Sequence, residues 1–200
     1  LEPFQPAKYI EIPKKNGGIR GIYMLPTKER IKCQAIYRVL EPHFEQIYSD
    51  YLYSFRTTHH SYYASRSIKR LYLRNYKKKN NNDNMYILKM DITNYSDYHD
   101  HNFLINRMRE MNVDEDVIDL TRLFIKQNYI VNGALLSRSV GTMQGMNLCP
   151  LFNNIYMDHV DKYIGKRVYF YRRVGDDFIM FDRDKEKLEK IRNFVVQEAK

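Results

Sequence analysis

The chain has few cysteines, no tryptophan and no long apolar run. Its two cysteines, Cys33 and Cys149, lie far apart in sequence and lack the spacing of metal ligands, so free thiols in a reducing compartment are expected. No apolar stretch approaches the ~20 residues that a membrane-spanning helix needs. No charged segment followed by an apolar one opens the chain. A disulfide scaffold, a membrane partner and secretion are therefore not expected.

Positive charge is what the chain has in excess. Its 33 lysines and arginines outnumber 24 aspartates and glutamates, which gives 200 residues a net charge of +9. Such a balance favours a polyanionic partner, because phosphate contacts are the usual use of surplus Lys and Arg. The 18 tyrosines suit base stacking, but they equally suit an AT-rich coding bias. Composition alone therefore leaves nucleic-acid binding open, although 44% hydrophobic residues argue against a disordered chain.

Periodicity and turn residues predict a mixed architecture. Before a polar linker at 76–84, the pattern predicts a hairpin over 9–25 turning at Asn16, a helix from Pro26 to Pro42, and a helix over 61–76. After the linker it predicts a strand over 85–91, loop and strand over 129–145, and a second hairpin with arms at 167–174 and 178–181. It also predicts helices over 101–110, 115–128 and 148–164, and from about 184. The fold class expected is α+β, with an antiparallel sheet backed by helices.

Three acidic residues require an explanation in this pattern. Asp176 and Asp177 lie at the tip of the second hairpin, and Asp91 ends a strand whose other face is apolar. Gly-Asp is ordinary turn chemistry, so the hairpin pair alone indicates little. A third carboxylate would only add repulsion unless a cation compensates for it, and oxygen ligands without His or Cys suit Mg²⁺. Two such ions form the clamp of phosphoryl-transfer enzymes.

Five segments in one order resemble a known family. The double aspartate lies in YRRVGDDFIMF, the first aspartate in LKMDITNYSDYHDHNFL, and a Gln-Gly pair in GTMQGMNLCPLFNNIYMDHVDKYI. Together with two upstream segments, they are similar to the motifs of bacterial reverse transcriptases of the group II intron or retron-like kind, over 12–42, 53–56, 88–104, 141–164 and 171–181.

The resemblance implies the fingers and palm of a right-hand polymerase, with the thumb absent. Residues 1–80 would form the fingers and 81–200 the palm, with about 101–140 contributing partly to the fingers. Because the chain begins with Leu and stops in a helix-like stretch, it is expected to be a piece of a longer protein. The implied activity is RNA-directed DNA synthesis in the bacterial cytoplasm, with an RNA template, a DNA or RNA primer and dNTPs as partners. This piece alone is expected to be weakly active or inactive, because it lacks the thumb.

The resemblance also assigns roles to residues. It implies that two Mg²⁺ ions, or Mn²⁺ in their place, are held by Asp91, Asp176, Asp177 and the carbonyl of Ile92. Nucleotide contacts fall to Lys14, Arg20, Tyr95, Ser96 and Gln144, and template or primer contacts to Arg56, Gly145 and Val174. Other interpretations stay open at this point: Lys14 and Arg20 could form a solvated hairpin face, and Gln144 could be a loop-capping amide.

Several neighbours of the metal ligands depart from the family pattern. Val174-Gly175 replaces Tyr-Ala before the double aspartate, and Ser96 replaces the aromatic residue that lies under the nucleotide sugar. Met143 replaces the proline before Gln-Gly, and Cys149 the serine before Pro150. Ser96 therefore predicts a pocket open to a ribose, unless a bulge places Tyr95 there. A diverged phage-defence polymerase of abortive-infection type, with relaxed or template-independent nucleotide use, and an inactive RNA-binding remnant are the alternatives.

Overall fold

The chain forms two compact units, each built from two separate stretches of sequence. A computed structural model describes residues 4–14, 17–77 and 85–199, without the side chains of residues 76 and 77. The first unit comprises Leu1–Ile47 and Asn94–Tyr156, and the second comprises Tyr48–Thr93 and Met157–Lys200. Among the described residues, no helix combines the length and apolar character needed to cross a membrane.

The two compact units divide the chain at other positions than residue 80, where the boundary between fingers and palm stays a prediction. Residues from Tyr48 onward belong to the second unit because they pair with its sheet: Leu52 forms a parallel bridge with Arg173. The linker at 76–84 lies mostly outside the described residues. Residues 101–140 share the first unit with the N-terminal hairpin.

A four-stranded sheet forms one layer of the first unit. Its strands are β1 (Ala7–Pro13), β2 (Ile19–Met24), β4 (Tyr129–Val131) and β5 (Ala134–Leu136), in the order β2-β1-β4-β5. The β1–β2 hairpin is antiparallel as predicted, and Gly17 has the left-handed conformation that its tight turn requires (φ +85°). Asn16 of the predicted turn, and Lys15 before it, lie outside the described residues. The parallel pairing of β1 with β4 was not predicted.

Helices α1 (Thr27–Glu45), α3 (His101–Glu110) and α4 (Glu115–Ile125) pack in the same unit, together with the first part of α5 (Leu148–Gly165). Helix α1 was predicted to end at Pro42 but continues through it to Glu45. A proline this close to the end forfeits a single backbone hydrogen bond. The extra turn buries Phe44, which has no exposed surface, and this burial offsets the cost of the proline at least in part.

The second unit contains a three-stranded antiparallel sheet in the order β3-β7-β6. Its strands are β3 (Tyr86–Asp91), β6 (Phe170–Val174) and β7 (Asp177–Asp182). Helix α2 (Ser61–Lys77) packs on β6, and α6 (Lys185–Glu198) packs on β3 and β7. The predicted α+β class with an antiparallel sheet backed by helices is confirmed.

Candidate active site and nucleotide pocket

The three acidic residues meet at one end of the β3-β7-β6 sheet. Asp91 is directly opposite Asp177 in the ladder, so the two side chains lie on the same face. The N–H of Ile92 donates to the carbonyl oxygen of Asp176 at 3.3 Å, which joins the end of β3 to the hairpin tip. Only the fold brings together residues that lie 85 positions apart in sequence.

The electrostatics of this sheet end are unfavourable without a cation. The pKa of Asp91 is raised, first by burial and then by the negative charges of Asp176 and Asp177, while Lys89 acts in the opposite direction. The Nζ atom of Lys89 lies 3.1 Å from Oδ1 of Asp177. Like charges in directly opposite positions destabilise a sheet, so this arrangement has a cost that a bound cation would offset.

The residues fit magnesium in their donor chemistry. Carboxylate oxygens with no sulfur or imidazole nearby are what Mg²⁺ prefers. Within the part of the chain that the structure describes, no three or more His, Cys, Asp or Glu side chains are already arranged as a metal site.

A buried ion pair fixes the double-aspartate hairpin. Arg173 contacts Asp161 of α5 through both Nε and Nη2, at 2.8 Å each, and neither side chain has exposed surface. The hydroxyl of Tyr171 donates to the same carboxylate at 2.6 Å. Nη1 of Arg173 donates to the carbonyl of Gly175 at 2.9 Å, one residue before the aspartates. The guanidinium therefore links the helix, the strand and the turn.

The segment before α2 supports the same hairpin from the other side. The N–H of Tyr53 donates to the carbonyl of Arg173 at 2.8 Å, and the N–H of Arg173 donates to the carbonyl of Tyr51 at 2.9 Å. The N–H of Gly175 donates to Oγ of Ser54 at 2.7 Å. The hydroxyl of Ser54 therefore holds the turn.

Two of the predicted template or primer residues lie beside this hairpin. Arg56 is 7% exposed, and its Nη1 donates to the carbonyls of Ser49 and Leu52 at 2.8 and 3.3 Å. This placement gives Arg56 the role of anchoring the segment before α2. Val174 is half-buried opposite Asp177. Contact of either residue with nucleic acid stays a prediction, as does the metal role of the Ile92 carbonyl.

A polar cavity of about 430 Å³ lies in the first unit. Lys14 and Arg20, from the two arms of the hairpin, line it together with Gln144 and Asp97. Arg138, from the loop after β5, adds a third cation. Three positive side chains and one carboxylate give the cavity a positive balance, which suits an anionic ligand.

The Gln144-Gly145 pair docks against strand β2. The carbonyl of Gln144 accepts from the N–H of Tyr23 at 2.9 Å, and its Nε2 donates to Oδ1 of Asp97 at 3.3 Å. Gly145 has φ +98°, and a Cβ there would lie 2.6 Å from Cγ2 of Ile22. Glycine is therefore required for this close approach, and Gln144 is held at the cavity wall.

Arg138 is a residue that the sequence analysis missed. Its guanidinium lies over the rings of Tyr23 and Tyr129, at 4.6 and 5.3 Å from their centroids, and Nη1 makes a long 3.4 Å contact with the carbonyl of Val140. Within the described ranges no carboxylate forms an ion pair with it. The pairing of β1 with β4 places Tyr129 near Tyr23, so that Arg138 contacts both rings, and no local pattern indicated that pairing.

Tyr95 and Ser96 are both buried and do not line the cavity. They lie in a short 3-10 helix, Tyr95–Tyr98, that follows Asn94 in a left-handed conformation. The hydroxyl of Tyr95 donates to the carbonyl of Asn153 at 2.7 Å, and Oγ of Ser96 donates to Oδ1 of Asn153 at 3.2 Å. The helical turn, and not a strand bulge, therefore determines which way these side chains point.

Comparison with known families agrees with this geometry. A family model described as reverse transcriptase (RNA-dependent DNA polymerase) matches residues 12–200. The chain belongs to the reverse transcriptase family.

Curated relatives of this reverse transcriptase domain include proteins encoded in introns. The putative COX1/OXI3 intron 2 protein of Saccharomyces cerevisiae is 28% identical over 162 residues, covering 80% of this chain and 18% of that protein. Protein YkfC of Escherichia coli is 28% identical, covering 81% of this chain and 42% of that protein. The group II intron-encoded protein LtrA of Lactococcus lactis is 27% identical, covering 80% and 25%. This chain thus spans between 18% and 42% of the length of these relatives.

Solved structures share the fold at low sequence identity. Telomerase from Candida albicans, in complex with a fragment of telomeric RNA, superposes with a TM-score of 0.75 at 17% identity, over 98% of this chain and 40% of that one. A partial Cas6-RT-Cas1–Cas2 complex gives a TM-score of 0.54 at 17% identity, over 100% and 35%. At this identity the likeness supports the polymerase fold alone.

Proposed function

We propose that this chain is the fingers and palm part of an RNA-directed DNA polymerase. The reaction is attack of a primer 3′-hydroxyl on the α-phosphorus of a dNTP, which forms a phosphodiester bond and releases pyrophosphate. The observation that carries this proposal is the cross-strand pairing of Asp91 with Asp177 at the sheet end where Ile92 is bonded to Asp176.

The carboxylates would act by positioning and by charge. Asp91, Asp176 and Asp177, with the carbonyl of Ile92, would hold two Mg²⁺ ions, or Mn²⁺ in their place. When bound, such ions lower the pKa of an attacking hydroxyl and stabilise charge on a leaving oxygen. The buried Arg173–Asp161 pair keeps the hairpin in place, so the ligands need little reorganisation during the reaction.

The cavity of the first unit would bind the triphosphate of the incoming dNTP. Arg20 and Arg138 offer forked donors for phosphate oxygens, and Lys14 adds a point charge. Gln144, fixed by Tyr23 and Asp97, would lie against the nucleotide. Gly145, which packs against Ile22 of β2, and Val174 would contact the template or primer.

The partners proposed are an RNA template, a DNA or RNA primer and dNTPs, and the location proposed is the bacterial cytoplasm. Relatives that are named as intron-encoded proteins favour this function over the phage-defence alternative, which rested on Ser96 and Val174. No contact in the described structure favours that alternative or an inactive remnant, since all three carboxylates are present at one sheet end.

Single-nucleotide incorporation on a primed RNA template tests the function. We expect Asp176→Asn and Asp177→Asn to reduce incorporation by about 100- to 1,000-fold, the scale of removing charge stabilisation from a reacting centre. Glu189→Gln, an exposed carboxylate on α6, is the matched control and should leave the rate unchanged. Binding of Mn²⁺, followed by water proton relaxation, should weaken in the two aspartate variants alone. Wild-type incorporation by Asp176→Asn would contradict the proposal.

A further inference from the structure

Helix α2 carries an outer face of unusual charge. The chain has no Asp or Glu between Tyr51 and Asn82, whereas this stretch contains eight lysines and arginines. Arg66, Lys69 and Arg70 are exposed on the helix, and no ion pair involves them within the described part of the chain. Eight positive charges nearly equal the net +9 of the whole chain, so the excess charge is concentrated here.

A solvated helix face does not explain this arrangement. Arg66 and Arg70 are four residues apart, as are Arg70 and Arg74, and like charges at this spacing destabilise a helix. Helix α6 in the same unit shows the ordinary pattern, in which Lys185 pairs with Glu189 across one turn. The repulsion along α2 is a cost that a bound polyanion would offset.

Exposed tyrosines accompany the basic residues. The side of α2 that packs inward carries Ala64 and Leu71, at 1% and 4% exposure. On the opposite side, Tyr62 is 66% exposed and precedes Arg66, Lys69 and Leu73 at the spacing of one helix face. Tyr72 is 55% exposed at the margin of that face. Aromatic rings beside phosphate-binding cations are the elements with which proteins bind single-stranded nucleic acids.

Helix α2 is also firmly attached to the catalytic sheet. It packs on β6, and Nε of Arg172 donates to Oγ of Ser67 at 3.2 Å. Strand β6 leads directly into the turn that carries Asp176 and Asp177. A strand of nucleic acid on α2 would therefore be bound by the same unit that holds the carboxylates.

We propose that the outer face of α2, formed by Tyr62, Arg66, Lys69, Arg70 and Leu73, is a binding surface for single-stranded nucleic acid. Phosphates contact the three cations, and an unpaired base stacks on Tyr62. This inference rests on the proposed function, under which the bound strand is template RNA that has not yet been copied. Unpaired template exposes the base faces that a tyrosine needs, whereas duplex hides them.

The test measures binding of a labelled 12-nucleotide RNA to the 200-residue chain by fluorescence anisotropy from 50 to 300 mM KCl. The combined change Arg66→Gln, Lys69→Gln and Arg70→Gln should weaken binding about 10-fold or more at 100 mM salt. It should also reduce the slope of log K against log salt by about 2, since each lost phosphate contact contributes about 0.7. The matched control changes Lys185, Lys190 and Arg192 of α6 to Gln, with the same loss of net charge, and should weaken binding less than 3-fold.

A stacking variant separates this surface from general attraction. Tyr62→Ala should weaken single-stranded binding roughly 5-fold or more and leave duplex binding unchanged, whereas Tyr62→Phe should bind as the wild type does. Equal losses for the α2 and α6 triple variants, or no effect of Tyr62→Ala, would overturn the proposal. Asp176→Asn keeps the two questions apart, because it should lose incorporation and retain RNA binding. If the wild type binds RNA on α2 but incorporates no nucleotide, the polymerase function is refuted and the binding surface on α2 stands.

Discussion

At the scale of single residues, chemistry visible in the sequence was easier to predict than surroundings that depend on the fold. The meeting of the three aspartates at one sheet end could be predicted because a third carboxylate beside an ordinary turn pair requires a compensating cation, and their metal role stays a prediction. Arg138 could not be predicted, since its position depends on rings from β2 and β4 that are far apart in sequence. Arg56 donates to a backbone carbonyl in the interior, a contact that no local pattern indicated, and its contact with nucleic acid stays a prediction.

Arg138 gives a prediction for nucleotide binding. Arg138→Ala should raise the KM for dNTP about 10- to 100-fold, because a hydrogen bond to a charged group contributes roughly 1.5–3 kcal/mol. Steady-state kinetics on a primed template measure it, and kcat should change less than KM. Arg138→Lys keeps the charge but loses the forked geometry and the stacking, so it should recover part of the affinity. An unchanged KM in the alanine variant would exclude Arg138 from the nucleotide site.

Ser96 gives a second prediction, which differs from the one the sequence suggests. The sequence predicts that Ser96→Phe restores discrimination against ribonucleotides. In the structure Ser96 is 6% exposed and bonded to Asn153, so a phenyl ring would overpack the interior at a cost of about 1–3 kcal/mol. We expect Ser96→Phe to lower the urea midpoint, with Ser96→Ala as the milder control. A Ser96→Phe protein of wild-type stability with raised sugar selectivity would support the sequence-based prediction.

At the scale of elements, strands and helices followed the local pattern, while the contacts that fix them did not. The turn at Gly175 and the strands around it were predicted from turn chemistry and apolar runs. Asp161 reads in the sequence as one polar residue of an amphipathic helix, yet it accepts from Arg173 and Tyr171 in the interior. Such a pair connects residues of different elements, so periodicity within either element gives no sign of it.

The Arg173–Asp161 pair should be costly to break. Asp161→Asn leaves a buried guanidinium without its countercharge, and we expect a loss of about 3–5 kcal/mol in the free energy of unfolding. Urea denaturation measures this loss, with Asp158→Asn as a control whose partner Lys162 is partly exposed. The double change Arg173→Met with Asp161→Leu should lose less than Asp161→Asn alone, because neither charge remains buried. A larger loss in the double variant would contradict this account.

A buried histidine links the stability of the first unit to pH. His99 stacks on Tyr156 at 4.5 Å and contacts Thr142, and burial together with the neighbouring His101 lowers its pKa to about 3. The unfolded chain therefore binds a proton that the folded chain rejects. The stability that the folded protein has with a neutral His99 is therefore fully present above the unfolded pKa of 6.5, and it is lost progressively as pH falls toward 3.

Denaturation at pH 7 and pH 5 tests the histidine. From His99 alone we expect the free energy of unfolding to be about 2 kcal/mol lower at pH 5 than at pH 7, since each pH unit below the unfolded pKa contributes about 1.4 kcal/mol. His99→Gln should reduce this dependence, and His60→Gln, an exposed histidine, should leave it unchanged. Equal pH dependence in the wild type and His99→Gln would assign the effect to other groups.

At the scale of the whole molecule, the order of motifs revealed the family, whereas the pairing of distant segments could not be predicted from the sequence. Residues 48–77 were assigned with the N-terminal hairpin because they precede the polar linker, yet their backbone pairs with β6. Pairing between distant segments leaves no composition shift in the sequence. The α+β class needed no such information, because it follows from the element types alone.

The size of the chain relative to its family bears on how it would copy a template. It spans between 18% and 42% of its curated relatives, so it offers only part of the surface with which a full enzyme would hold primer and template. Binding that depends on phosphate contacts weakens steeply with salt, and release after each addition should then outpace the next addition. We expect the 200-residue chain to add one or a few nucleotides per encounter at 150 mM KCl.

Primer extension with a heparin trap, added together with dNTPs, measures this directly because a released enzyme cannot rebind. Lowering the salt to 50 mM should lengthen the products made in one encounter, while Arg66→Gln combined with Lys69→Gln and Arg70→Gln should shorten them further at either salt. The trap added before the enzyme is the control and should abolish all extension. Products of hundreds of nucleotides from one encounter at 150 mM KCl would contradict this prediction, because they would show that this chain alone stays bound to its template through many additions.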